Sequence, residues 1–142
     1  MFYIYSLNVI GQEKVGEDKD GKFTITANLK LLKVRWNEIA SETVTNYSIT
    51  SPTTENVKWY YLIGTTEKGI KLATTLAYRD GIFYVPDQTL ESSSTCTCSG
   101  CGYKGCDPKW MGGSEKWICD MPCLRCTKSV TTTKLTLTGW SQ

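Results

Sequence analysis

The chain has 142 residues and a net charge of +2; 40% of its residues are hydrophobic and 21% are charged. This length predicts one soluble domain with a core of its own, and the near-neutral charge gives no support to nucleic-acid binding. The chain contains no histidine, which excludes imidazole bases, Ser-His and Cys-His nucleophile pairs and histidine metal ligands.

The N-terminal segment, residues 1–11, is apolar but too short to span a bilayer, so no membrane span is predicted. Two interpretations remain open for it. It is either a first β-strand or the end of a secretion signal whose start lies upstream.

The next part of the chain predicts β-strands separated by turns. Asp20-Gly21 is typical of a turn. Residues 22–36 alternate between apolar and polar with one change of phase, which predicts a long strand with a bulge; a helix over 29–42 is the alternative. Weaker alternation predicts a strand over 43–49, and clean alternation predicts another over 57–63.

A β-hairpin centred on Asp80-Gly81 is the best-determined local structure. Both turn residues favour positive φ, and this turn would place Arg79 opposite Ile82 and Tyr78 opposite Phe83. The turn chemistry and the hydrophobic pattern agree on the same register.

A last strand is predicted over 129–140, after the cysteines. The fold predicted is therefore an all-β, antiparallel, β-sandwich-like single domain made of residues 1–95 and 127–142. Residues 96–126 form a long Cys-rich loop inserted before the last strand, which is not an independent domain. The ESSSTCTC segment, where the insertion begins, is the nearest thing to a hinge between the domain and the insertion.

All seven cysteines lie in this insertion. In an oxidising compartment they predict disulfides of unknown pairing, with one thiol left over. Each disulfide would contribute about 2–4 kcal/mol of stability. The cysteines are Cys96, Cys98, Cys101, Cys106, Cys119, Cys123 and Cys126.

The same cysteines allow a metal site as the alternative. Two CxxC pairs, Cys98/Cys101 and Cys123/Cys126, have the spacing of a four-thiolate zinc ribbon, although three cysteines would then have no role.

The segment Cys98-Ser-Gly-Cys101-Gly-Tyr103, followed by Asp-Pro and by Trp-Ile-Cys119, resembles rubredoxin, an iron protein that transfers electrons. The resemblance covers residues 97–123 and implies iron ligands at Cys98, Cys101, Cys119 and Cys123. The sequence has one extra residue before Asp-Pro, and CDMPC has three residues between its cysteines where the family has two.

Three aromatic side chains of the insertion are candidate interaction residues, Tyr103, Trp110 and Trp117. Exposed tryptophans favour recognition, whereas buried ones would form the small core of a stapled loop.

The function predicted is a non-enzymatic β-module, secreted, periplasmic or at the cell surface, that binds a protein or other copies of itself. No catalytic residue is predicted, and no cofactor. An intracellular thiolate metal protein holding zinc or iron is the alternative.

Overall fold

The computed structural model describes residues 13–54, 56–86, 94–101, 106–120 and 126–134. Four features discussed above lie outside these residues: the N-terminal segment, Tyr103, Cys123 and the end of the last predicted strand. The elements, in chain order, are β1 (Lys14–Lys19), β2 (Lys22–Ile25), α1 (Lys30–Ala40), β3 (Val44–Thr50), β4 (Thr53–Thr54), β5 (Val57–Lys58), β6 (Tyr61–Thr66), β7 (Lys71–Thr75), β8 (Ala77–Arg79), β9 (Ile82–Tyr84), β10 (Ser94–Ser99), β11 (Asp107–Met111), β12 (Lys116–Asp120) and β13 (Thr127–Lys134).

The fold is all-β, as the sequence predicts, and it is built on two antiparallel sheets. The larger sheet has five strands in the order β13-β10-β7-β6-β3, and the smaller has four in the order β2-β1-β9-β8. Apolar residues of both sheets and of α1 meet in one core, which is the sandwich-like part of the molecule. This main core contains Val15, Leu29, Leu32, Trp36, Ala40, Val44, Ile49, Leu62, Leu72, Leu76, Phe83 and Val85.

The two predicted turns are confirmed. Asp80 and Gly81 have φ of 50° and 78°, and the strands beside them pair in the predicted register. Asp20 and Gly21 also have positive φ, 54° and 86°, and they join β1 to β2. In both turns the conformation is the left-handed one that Asp and Gly tolerate best.

The strand predicted through Trp36 is wrong beyond residue 25, because residues 30–40 form α1. The side chains that α1 buries are Leu32, Trp36 and Ala40, which lie four residues apart on one helical face. Leu31 and Val34, which alternation would have placed among the buried positions, are 42% and 54% exposed. Helical spacing therefore describes this segment better than alternation does.

The hinge predicted at ESSSTCTC is also wrong where the structure describes it. Residues 94–99 form β10, which lies between β7 and β13 inside the larger sheet. The first cysteines therefore belong to the sheet, and the part of the chain that leaves it begins only after Ser99.

Beyond β10 the chain forms a hairpin of β11 and β12, in which Trp110 lies opposite Trp117. We call β11 and β12 the cysteine hairpin. It covers the face of the larger sheet opposite the main core, so both faces of β10 are buried. No helix within the described residues is long and apolar enough to cross a membrane.

Candidate functional site

Strand β10 presents its cysteines to the hairpin and its threonines to the other side. Cys96 pairs with Ala73 on one neighbouring strand, and Cys98 pairs with Lys128 on the other. Side chains alternate along a strand, so Cys96 and Cys98 share one face. That face meets the cysteine hairpin, and both cysteines are 0% exposed.

The two tryptophans of the hairpin form the centre of this second core. Trp110 and Trp117 are 5% and 2% exposed, and their ring centroids lie 5.5 Å apart at an edge-to-face angle of 65°. Because they are buried, the two tryptophans form the small core of the disulfide-linked hairpin. They are not accessible as anchors for a partner, so the recognition role considered for them is not supported by their placement.

Tyr61 joins the sheet to the hairpin. Its hydroxyl oxygen accepts a hydrogen bond from the Trp110 backbone N–H at 2.6 Å, and its ring lies 5.5 Å from that of Trp117. At the hairpin turn, a Cβ on Gly112 would stand only 2.8 Å from the Trp59 ring. A glycine is needed there because the backbone passes so close to an aromatic ring.

Two disulfides fasten this layer to the sheet. Cys98 of β10 is bonded to Cys119 of β12, with a Cα–Cα distance of 5.7 Å. Cys106, just before β11, is bonded to Cys126, just before β13, at 6.0 Å. Cys101 is disulfide-bonded as well. The Cys98–Cys119 and Cys106–Cys126 pairs have the Cα separation usual for disulfides, and each closes a loop of about twenty residues.

The sulfur atoms of the described cysteines fall into two groups. The first sulfur group is Cys96, Cys98 and Cys119, and the second is Cys101, Cys106 and Cys126. Within each group all sulfurs lie within 4.8 Å of one another. Three sulfurs at such distances can hold a soft metal ion when they are reduced.

Among the described cysteines, Cys96 is the one free thiol. Its Sγ lies 3.9 Å from Cys98 Sγ. Burial raises the pKa of Cys96 to about 12, and the charge of Lys128 lowers it only in part. The thiol therefore keeps its proton at neutral pH and is a poor nucleophile toward the adjacent disulfide.

Lys128 is the cation beside the first sulfur group. It stands opposite Cys98 on β13, and its ammonium donates to the Trp117 carbonyl at 2.9 Å. This hydrogen bond joins β13 to β12, and the positive charge of Lys128 acts on Cys96.

The ligand sets expected from sequence are not brought together within the described residues. Both the zinc set and the iron set required Cys98 and Cys101 on one ion, but these two sulfurs belong to different groups. Cys123, a member of both sets, lies outside the described residues. The same is true of Tyr103, the third candidate interaction residue.

Sequence reasoning missed the residues of earlier strands that complete the site. Tyr61 and Ala73, 1% and 0% exposed, belong to the same cluster as the cysteines and tryptophans. The alternation Thr95-Cys96-Thr97-Cys98 was the available signal, because it is the pattern of a strand with cysteines on one face. No signal in the local sequence linked Tyr61 to residues some fifty positions later.

No protein-family model, no curated protein and no solved structure matches this chain. Its function must therefore be argued from the site itself.

Proposed function

We propose that the protein is a non-enzymatic β-module of an oxidising compartment, secreted, periplasmic or at the cell surface, in which the cysteine hairpin is a stapled interaction layer. The observation that carries this proposal is the pair of disulfides Cys98–Cys119 and Cys106–Cys126, which bind the hairpin covalently to the sheet. Disulfides persist in such compartments and are rare in reducing ones.

The interaction surface of this proposal is the outward face of the hairpin. Because side chains alternate, the buried tryptophans leave Lys109, Met111, Lys116 and Ile118 on the opposite face of the hairpin. Met111 and Ile118 are half-buried, and Lys109 is paired with Asp120 at 3.1 Å. Apolar groups flanked by charges on a rigid element suit protein recognition, either of a partner or of another copy.

A non-enzymatic role agrees with the chemistry available. The chain has no histidine, and the free thiol of Cys96 is fully buried and protonated. A thiol without a nearby base or a lowered pKa is not an activated nucleophile.

The redox state is tested by peptide mapping of the purified chain, alkylated without reductant. Peptides holding Cys98 and Cys119 should be recovered linked, as should those holding Cys106 and Cys126. Cys96 should be alkylated only after denaturation. Recovery of Cys98 and Cys119 as separate alkylated peptides would contradict the proposal.

The interaction surface is tested by sedimentation over a range of protein concentrations. Self-association of the wild type should be lost in Ile118→Glu with the near-ultraviolet circular dichroism of the fold kept, and Lys30→Glu on the helix is the control for added negative charge. If the wild type stays monomeric at all concentrations, recognition of copies is excluded and a different protein is the required partner. Equal self-association of wild type and Ile118→Glu would show that the outward face of the hairpin is not the interaction surface.

A further inference from the structure

The three sulfurs of the first sulfur group lie close enough to bind one metal ion, but two of them are bonded to each other in the Cys98–Cys119 disulfide. We propose that, once the Cys98–Cys119 disulfide is reduced, Cys96, Cys98 and Cys119 bind one Cu(I) ion through three thiolates. The oxidised and the metal-bound forms exclude each other, because both use the sulfurs of Cys98 and Cys119.

The positions of the sulfurs carry the proposal. Thiolates bound to one ion at about 2.3 Å lie about 3.8–4.0 Å from one another in tetrahedral or trigonal geometry. Cys96 and Cys98 already place their sulfurs 3.9 Å apart on one face of β10. The third sulfur lies within 4.8 Å of both and comes from β12, whose half-buried Cys119 can move outward once its bond is broken.

The donor set favours Cu(I) over zinc. Thiolates select soft ions, and structural zinc sites are closed by four donors. Within the described residues this group supplies three sulfurs, and the chain has no histidine to add a fourth donor. The oxygens in contact with Cys119 Sγ are the backbone carbonyls of Thr97 and Thr127, at 4.0 and 3.9 Å. Cys96 and Cys98 are both 0% exposed, which limits access of water as a fourth ligand.

The surrounding charge suits such a site. One Cu(I) with three thiolates carries a net charge of −2, which would be costly in a buried position without a cation. Lys128 supplies that cation, opposite Cys98 on the adjacent strand. Lys128 is exposed, but its ammonium donates to the Trp117 carbonyl and its charge acts on Cys96.

The chemical steps balance with an external dithiol or phosphine as the reductant. A dithiol gives two electrons and two protons to the Cys98–Cys119 bond, which becomes two thiols, and is itself oxidised to a disulfide. A phosphine gives the two electrons and becomes its oxide, with water supplying the oxygen and the two protons. Cu(I) then displaces the protons of three thiols and forms three copper–sulfur bonds. Binding is therefore expected to weaken as the pH falls.

The test is a Cu(I) titration of the full-length chain, reduced with a phosphine under anaerobic conditions, against a chromophoric Cu(I) chelator. Cys96→Ala is the informative variant, because Cys96 is outside every disulfide and the oxidised fold is kept. It should bind one equivalent fewer than the wild type, or bind that equivalent at least tenfold more weakly. Val130→Ala is the control: Val130 lies opposite Cys96 but offers no ligand, so this variant should match the wild type.

X-ray absorption at the copper edge should give three sulfur neighbours for the equivalent that Cys96→Ala loses. Equal Cu(I) binding by wild type and Cys96→Ala would overturn the proposal, as would a four-donor zinc site that depends on Cys96. A reduced chain that loses its near-ultraviolet circular dichroism and does not recover it with Cu(I) would also overturn it. Peptide mapping of the oxidised protein tests the disulfides separately, so failure of one proposal is distinguishable from failure of the other.

Discussion

Cys96 and Cys98 lie on the same face of β10 with their sulfur atoms 3.9 Å apart, yet of the two only Cys98 is in a disulfide. Strand geometry explains the difference. Residues i and i+2 of an extended strand have Cα atoms about 6.4–6.8 Å apart, at the upper end of the range for disulfides. Cys98 instead bonds across the layers to Cys119, whose Cα is 5.7 Å away.

The Cys98–Cys119 disulfide should be a major contributor to stability, because it closes a loop of 21 residues. Replacing both cysteines by Ala should lower the free energy of unfolding by about 2–4 kcal/mol. Urea unfolding without reductant measures this change. Cys96→Ala is the control, since it removes one sulfur as buried as that of Cys98 without breaking a disulfide. Equal losses in the two variants would show that the sulfur packing, not the cross-link, supplies the stability.

Tyr61 should stabilise the contact between the sheet and the hairpin through its hydroxyl. Tyr61→Phe removes the acceptor of the Trp110 N–H in a buried position, so we expect a loss of about 1–3 kcal/mol. Tyr78→Phe also removes one hydroxyl hydrogen bond, to Asp18, but Tyr78 is 39% exposed and water can replace the bond. Its cost should stay within about 0.5 kcal/mol. Thermal unfolding of both variants checks the difference, and an equal cost would contradict the assigned role of Tyr61.

The parts of the fold that the sequence predicts correctly are those decided by local chemistry. Asp80-Gly81 and Asp20-Gly21 determine their own turns, because few other residue pairs accept positive φ at low cost. The flanking alternation then sets the register. For such hairpins the information lies within about ten residues, and no distant contact changes the outcome.

The parts that the sequence did not reveal depend on distant contacts. Helical and strand spacing compete over residues 29–42. In the folded chain Trp36 packs against Gly64, where a Cβ would lie 2.9 Å from its ring. Likewise β10 reads as a polar linker because Thr and Ser dominate it. It becomes an interior strand only when a hairpin encoded later covers its cysteine face.

The helical assignment of residues 30–40 gives a matched pair of leucine substitutions. Leu32 is 3% exposed and Leu31 is 42% exposed. Leu32→Ala should cost about 2–5 kcal/mol through lost burial and a cavity. Leu31→Ala should cost no more than about 0.5 kcal/mol, because Ala is the better helix former and little contact is lost. Urea unfolding separates the two. Comparable costs would contradict the helix and its orientation.

Cys96 should make the oxidised protein sensitive to alkaline pH. Its pKa is about 12 in the folded state against an ordinary 9.0, because burial disfavours the thiolate, with Lys128 acting in the opposite direction. Well below pH 9 the Cys96 thiol is protonated in both the folded and the unfolded chain, so it does not affect stability. Above pH 9 the unfolded chain loses this proton while the folded chain keeps it. The free energy of unfolding therefore falls until about pH 12. The loss from this group should reach about 1.4 kcal/mol at pH 10.

Tyr47, whose pKa burial also raises to about 12, adds its own alkaline loss in both proteins. Rapid-scan calorimetry of wild type and Cys96→Ala from pH 7.5 to pH 10 isolates the difference and limits thiol exchange. The melting temperature of the wild type should fall more steeply, and parallel curves would show that Cys96 ionises as easily in the folded state as in the unfolded one.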